Sequence, residues 1–148
     1  MIAYLDSSAL VKLYVSESGS HDVRALIAAA DRVAISVVAY PEARAALARR
    51  QREGAFSSQG LRRAVSALDS DLPGFVGVTL SETSARRAGD LAERRALRGA
   101  DAIHIASAIE LGHLLGIMPI FMSFDDRQAR AAEAEGLRIV PPRPKPED

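Results

Sequence analysis

Four of the 19 acidic residues lie in sequence contexts that are unusual for a solvated surface charge. They are Asp6, Glu42, Asp101 and Asp125. Asp6 and Asp125 directly follow short apolar runs typical of buried strands, and Asp101 opens an apolar stretch. Glu42 has only Val and Ala at the helical positions three and four residues away, so its own helix offers no basic partner. Four carboxylates gathered in one pocket would repel each other strongly unless protons or a cation balanced their charge.

The chemistry that suits such a cluster is hydrolysis assisted by a hard divalent cation. Ligation by carboxylates and water alone favours Mg²⁺ or Mn²⁺ over zinc. A cation held in this way can lower the pKa of a water and align it with a phosphodiester, and a second ion can stabilise the leaving oxygen. The chain has no cysteine, and its three histidines form no triad-like pattern, so no protein nucleophile is expected.

Helix termini offer a competing explanation for each of these carboxylates. Asp6 and Asp101 could simply cap the helices that follow them. Of Asp125 and Asp126, one can cap the next helix while the other faces the cleft, and we assign the cleft to Asp125. Glu42 could point outward near a helix start, where negative charge is favourable.

The elements that must position these residues alternate between strand and helix. Strands are predicted over residues 2–5, 32–36, 75–80, 119–124 and 137–140. Helices are predicted over residues 8–15, 20–30 with Ser20 as the cap, about 38–53, 57–72, 81–97, 101–115 and 126–135. This alternation predicts an α/β fold with a mainly parallel sheet covered on both faces. Ligands of such sheets bind beyond the carboxyl ends of the strands, where Asp6 and Asp125 are expected.

The composition is that of an ordinary globular domain, with 48% hydrophobic and 26% charged residues. We expect one domain over residues 1–140 and a flexible, proline-rich tail over 141–148. No apolar stretch approaches the roughly 20 residues that cross a bilayer, and the first residues do not resemble a signal peptide. We therefore expect a cytoplasmic protein that does not bind membranes.

The charge pattern leaves nucleic-acid binding open. The net charge is zero, and all but two of the 19 basic residues are arginines. Three adjacent arginine pairs could contact phosphates: Arg49 with Arg50, Arg62 with Arg63, and Arg94 with Arg95. A genome rich in G and C would produce the same bias.

Three segments resemble the motifs of PIN-domain ribonucleases, especially the VapC toxins of bacterial toxin–antitoxin pairs. Residues 4–12, Tyr-Leu-Asp-Ser-Ser-Ala-Leu-Val-Lys, resemble the opening of these proteins. Residues 100–108 are similar to the third acidic motif of the family, and residues 121–125 to the fourth. Glu42, with Arg44 behind it, stands where the family has a glutamate on a helix. The resemblance extends over residues 2–140.

The resemblance implies a three-layer α/β/α fold of the PIN type, with a mainly parallel five-stranded sheet. It also implies endonucleolytic cleavage of RNA that depends on Mg²⁺, or on Mn²⁺ as a substitute. Family members usually form homodimers, and a cognate VapB-like antitoxin silences them by placing its C-terminal segment in the active-site groove.

The resemblance also assigns roles to individual residues. Asp6, Glu42, Asp101 and Asp125 would form the catalytic, metal-binding quartet. Ser8 would orient Asp6 or a bound water, and Ser123 would support the region around Asp125.

Two further residues near these motifs need separate interpretation. Pro41 would strain a helix interior just before Glu42, so that helix is expected to start late or to kink. His104 lies one helical turn after Asp101, and a structural role is favoured for it over acid–base catalysis.

Two other functions are compatible with parts of the pattern. An aspartate after the first strand could accept a phosphoryl group, as in haloacid-dehalogenase-like phosphatases or receiver domains. The former need a second acid two residues on, where this chain has Ser8, and both recruit a late lysine, for which only Lys145 is present. A catalytically silent PIN-like module that binds RNA or protein is the main alternative, and the presence of all four acids argues against it.

Overall fold

The computed structural model describes residues 1–142, and these form five strands and seven α-helices. The strands are β1 (Ile2–Leu5), β2 (Arg32–Ser36), β3 (Val76–Val78), β4 (Ile120–Met122) and β5 (Arg138–Val140). The helices are α1 (Ser7–Val11), α2 (Ser20–Ala29), α3 (Ala39–Arg52), α4 (Ser58–Asp71), α5 (Glu82–Arg95), α6 (Gly99–Leu115) and α7 (Asp126–Ala134). Most of the tail expected over 141–148 lies outside the described residues. No helix within residues 1–142 is long and apolar enough to span a membrane.

All five strands are parallel and follow the order β3-β2-β1-β4-β5. The chain starts at the central strand and builds outward to β3 on one side. Helices α5 and α6 then connect β3 to β4, so that β4 and β5 lie on the other side of β1. The strand order therefore reverses between β1 and β4, where Tyr4 pairs with Phe121. A crevice forms at such a reversal beyond the carboxyl ends of the strands.

Each face of the sheet packs against its own layer of helices, because successive strand residues point to opposite sides. Ala3 and Leu5 face a core built with α1 to α4. Tyr4 lies between them in sequence and faces a second core built with α5 to α7. The three-layer α/β/α fold with a parallel five-stranded sheet is thus confirmed.

Several predicted element ends are wrong, and so is the predicted cap of α2. Ser20 does not cap α2, because Gly19 takes that position with a φ of 89°. The Ser20 hydroxyl instead donates to the carbonyl of Val15 at 2.9 Å and accepts from the amide of Glu17 at 3.1 Å. Helix α6 begins two residues before Asp101, so Asp101 lies in its first turn and is not its cap.

Pro41 needs no compensation in α3. It is the third residue of the helix, and the first amide groups of any helix have no partner within it. The missing N–H of proline therefore costs no hydrogen bond here. The amide of Glu42, one residue later, donates to the carbonyl of Val38 at 3.4 Å. The strain expected from a proline in a helix interior does not arise.

Candidate active site

The reversal between β1 and β4 collects side chains from four separate parts of the chain. Asp6 directly follows β1, and Asp125 follows β4 after two intervening residues. Glu42 comes from the first turn of α3, and Asp101 from the first turn of α6. Hydrogen bonds and ion pairs link these carboxylates to neighbouring residues that include Ser8, Arg98, His104 and Gln128.

Asp6 is buried and caps α1. Its Oδ1 accepts from the amide of Ala9 at 2.8 Å and from the hydroxyl of Ser8 at 2.7 Å. Burial raises the pKa of Asp6 above its ordinary value. The electrostatic interaction with His104 and the hydrogen bonds from Ser8 and Ala9 offset only part of this effect. Asp6 is therefore both a helix cap and a charge that the fold holds at an energetic cost.

Glu42 pairs with His104 across two helices. The Nε2 atom of His104 lies 2.7 Å from Oε1 of Glu42, and the histidine side chain is only 1% exposed. The other ring nitrogen, Nδ1, has no hydrogen-bond partner among residues 1–142. The sequence correctly indicated that α3 offers Glu42 no basic partner, but it did not reveal that α6 supplies one. A histidine one turn after Asp101 on an apolar helix was the available signal.

Arg98 lies between Asp101 and Asp125. Its Nε donates to Oδ2 of Asp101 at 2.9 Å, and its Nη2 lies 3.8 Å from Oδ2 of Asp125. The hydrogen bond to Asp101 raises the pKa of Arg98 above its ordinary value, and the charges of Asp101, Asp125 and Glu42 add to this. The guanidinium thus lies in the field of three of the four carboxylates. Sequence analysis missed this residue, because nothing about an arginine before Gly99 sets it apart.

Ser8, Ser123 and Gln128 connect the loops around the carboxylates. The Ser8 hydroxyl donates to Asp6 and accepts from the amide of Phe124 at 3.0 Å. The Ser123 hydroxyl donates to Oε1 of Gln128 at 2.8 Å and accepts from the amide of Asp125 at 3.0 Å. These contacts place Ser8 beside Asp6 and Ser123 beside Asp125.

Gln128 was not identified from the sequence. It is fully buried, and its Nε2 donates to the backbone carbonyl of Asp101 at 3.1 Å. Its side chain therefore joins the start of α6 to the loop after β4. A glutamine three residues after the capping aspartate was the signal, since capping motifs favour Gln at that position.

Asp125 both caps α7 and faces the cleft, although these two roles were expected to be divided between Asp125 and Asp126. Its Oδ1 accepts from the amide of Gln128 at 2.9 Å and caps α7, while its Oδ2 faces Arg98. The expectation that one of Asp125 and Asp126 would cap the helix and the other face the cleft is wrong. A carboxylate has two oxygens, so the cap leaves one of them available to the cleft.

A cavity of about 490 Å³ opens beside these residues along α3. Its lining includes Ser8, Glu42 and four arginines, namely Arg49, Arg50, Arg52 and Arg98. Arg50 is engaged in a two-pronged ion pair with Glu17, both contacts being 2.8 Å long. Arg49 and Arg52 form no ion pair within residues 1–142, so their guanidinium groups are free to bind a ligand.

The carboxylates fit a hard divalent cation in their chemistry, since all the side-chain donors are oxygens. The four carboxylates do not form a compact cluster in this structure. No three Asp, Glu or His side chains of residues 1–142 form a group that could hold a metal ion. Arg98 binds two of the four carboxylates, and His104 binds a third.

Comparisons with known proteins agree with this fold. The family model described as PIN domain matches residues 3–134. Ribonuclease VapC45 of Mycobacterium tuberculosis is 37% identical over 140 residues, which cover 95% of each chain. The crystal structure of VapC20 from the same species, titled a sarcin–ricin loop cleaving toxin, aligns with a TM-score of 0.65 and 18% identity, over 93% of this chain and 96% of that one. VapBC2 from Rickettsia felis, solved with a promoter DNA fragment, aligns with a TM-score of 0.63 and 16% identity, over 94% and 97%. This chain belongs to the PIN domain family and, within it, to the VapC group.

Proposed function

We propose that this protein is a metal-dependent endoribonuclease, with one nuclease domain over residues 1–140, and that it is the toxin of a toxin–antitoxin pair. Asp6, Glu42, Asp101 and Asp125 are the catalytic residues and hold Mg²⁺, with Mn²⁺ as a possible substitute. The observation that carries the proposal is one cavity lined by Glu42, by Ser8, which holds Asp6, and by Arg98, which contacts Asp101 and Asp125. The ribonuclease activity named for VapC45 agrees with it.

The bound cation would supply a water of lowered pKa and positive charge beside the phosphate. The protein's contribution is to hold the carboxylates in place before substrate arrives. Ser8 and the amide of Ala9 fix Asp6, and His104 fixes Glu42. Removal of a supporting partner of this kind typically lowers metal affinity or activity by about 10- to 100-fold.

The cavity along α3 supports RNA as the substrate. Arg49 and Arg52 are free to contact phosphates on the strand that enters the site, and such contacts dominate affinity for nucleic acids. The pair Arg94 and Arg95 does not contribute, because both side chains bind Glu135. Of the three arginine pairs identified in the sequence, the pair Arg49 and Arg50 lines the cavity beside the candidate site.

The partner proposals rest on the family. Toxin–antitoxin assemblies such as VapBC2 are among the structures with this fold, which supports a cognate VapB-like antitoxin for this chain. We propose that the protein acts in the cytoplasm as a homodimer and that its antitoxin covers the active-site groove.

The test is cleavage of pooled total RNA by the purified protein in Mg²⁺, in Mn²⁺ and in EDTA. We expect discrete cuts that require metal and that disappear in the Asp101→Asn variant. Asp90→Asn is the matched control, because Asp90 is an exposed aspartate on α5 that lines none of the cavity beside the site. Equal cleavage by Asp101→Asn and wild type would contradict the assignment. RNA binding without cleavage in any metal would favour the catalytically silent module.

A further inference from the structure

Arg98 contacts two of the four carboxylates that would hold a metal ion. Its guanidinium spans Asp101 on α6 and Asp125 at the start of α7, with distances of 2.9 Å and 3.8 Å to the nearest carboxylate oxygens. A second contact, from Nη2 to Oδ1 of Asp101, is 3.5 Å long. It is the one arginine of residues 1–142 with ion pairs to any of the four carboxylates.

We infer that Arg98 is a built-in counter-cation of the acidic site, which holds Asp101 and Asp125 when no metal is bound and competes with the metal for them. This inference rests on the proposed function, because it requires these carboxylates to be metal ligands.

The exposure of the Arg98 side chain favours release of its guanidinium. Its side chain is 77% exposed, so withdrawal into solvent removes little packing. The ion pair of Arg50 with Glu17 is different, because both of those side chains are about three-quarters buried. Ion pairs made by an exposed guanidinium are weak, and here the partner carboxylates of Asp101 and Asp125 are 15% and 38% exposed. A strongly hydrated divalent cation that binds several carboxylates at once would therefore displace Arg98.

Stabilisation of the start of α6 is the competing explanation for this contact. Arg98 precedes the helix, and its pair with Asp101 has the i,i+3 spacing of helix-surface pairs. That role accounts for Asp101 alone. It does not account for Asp125, which belongs to a different element and follows another strand. A contact that spans both elements makes Arg98 a counter-ion of the site itself.

The test is calorimetric titration of Mn²⁺ into the purified full chain, without RNA. Removal of the two ion pairs made by this exposed guanidinium corresponds to roughly three- to tenfold tighter Mn²⁺ binding by Arg98→Ala than by wild type. We expect Arg98→Lys to fall between them, because lysine keeps the charge but cannot span both carboxylates. Arg52→Ala is the matched control, since it removes a positive charge from the same cavity without breaking a carboxylate contact.

Each outcome separates this inference from the function on which it rests. Unchanged or weaker Mn²⁺ binding by Arg98→Ala, with normal binding by wild type, would overturn the inference alone. Equal tightening by Arg98→Ala and Arg52→Ala would also overturn it, because the effect would then come from overall charge. Absence of Mn²⁺ binding by wild type would refute the proposed metal site and the inference with it. Melting curves in EDTA establish that each variant is folded, and the melting shift caused by Mn²⁺ should be larger for Arg98→Ala.

Discussion

Asp6 serves as a helix cap and as a charge in the candidate site, and two substitutions separate these roles. Asn at position 6 keeps a side-chain oxygen that can accept from the amide of Ala9 and the hydroxyl of Ser8, at 2.8 Å and 2.7 Å in the native protein. Ala at position 6 removes that acceptor and leaves a buried N–H without a partner. Loss of an N-cap costs about 0.5–2 kcal/mol, and an unpaired buried donor places this case in the upper half of that range. We therefore expect Asp6→Ala to be less stable than Asp6→Asn by about 1–2 kcal/mol. In a chain of this length that difference corresponds to roughly 3–6 °C in melting temperature.

The helix cap formed by Asp6 stabilises the fold, whereas the buried negative charge of Asp6 destabilises it. Because burial raises the pKa of Asp6 above its ordinary value of 3.8, the folded protein binds a proton there more tightly than the unfolded chain does. Stability is therefore lost as the pH rises from about 4 through the raised pKa. Asp6→Asn removes this loss, so without metal it should be at least as stable as wild type at neutral pH. Its advantage should shrink as the pH falls towards 4.

The assays are thermal melting in EDTA across this pH range and RNA cleavage with Mg²⁺. Both variants should lose cleavage by more than about 100-fold, because each lacks a proposed metal ligand. Equal melting temperatures for the two variants would refute the capping role of Asp6. Cleavage by Asp6→Asn at the wild-type rate would refute its role as a ligand.

His104→Ala should weaken Mn²⁺ binding by about 10- to 100-fold, because Glu42 loses its buried partner, and titration calorimetry would show no change if the pairing were incidental. Arg49→Ala should weaken RNA binding in EDTA and reduce the salt slope of the binding constant by about 0.7, whereas Arg63→Ala on α4 should leave the slope unchanged. The hydrogen bond from Arg50 lowers the pKa of Glu17 to about 2 from an ordinary 4.5, so Glu17 stabilises the fold above that ordinary value and loses this effect as the pH falls towards 2. Allowing for solvent screening, Glu17→Gln should cost about 1 kcal/mol in urea unfolding at pH 7 and much less at pH 2.

The sequence determined the class of the fold and the identity of the acidic residues. Short apolar runs such as Ile-Ala-Tyr-Leu and Ile-Phe-Met are typical of buried strands, and helices between successive strands favour crossovers in a parallel sheet. Asp6 and Asp125 follow two of these strands, so the rule for parallel sheets already brought them to one edge. These expectations depend on local pattern and on covalent order, which a sequence contains in full.

The tertiary structure decided which partner each of these residues has. Glu42 and His104 are 62 residues apart in the chain, and Arg98 reaches Asp125 on a different helix. The strand order places β4 beside β1, and this adjacency brings the start of α7 to the start of α6. Local pattern cannot specify such contacts, because side-chain pairing across elements depends on how helices pack on the sheet. Periodicity therefore predicted where the carboxylates lie, and only packing revealed that an arginine and a histidine hold three of them.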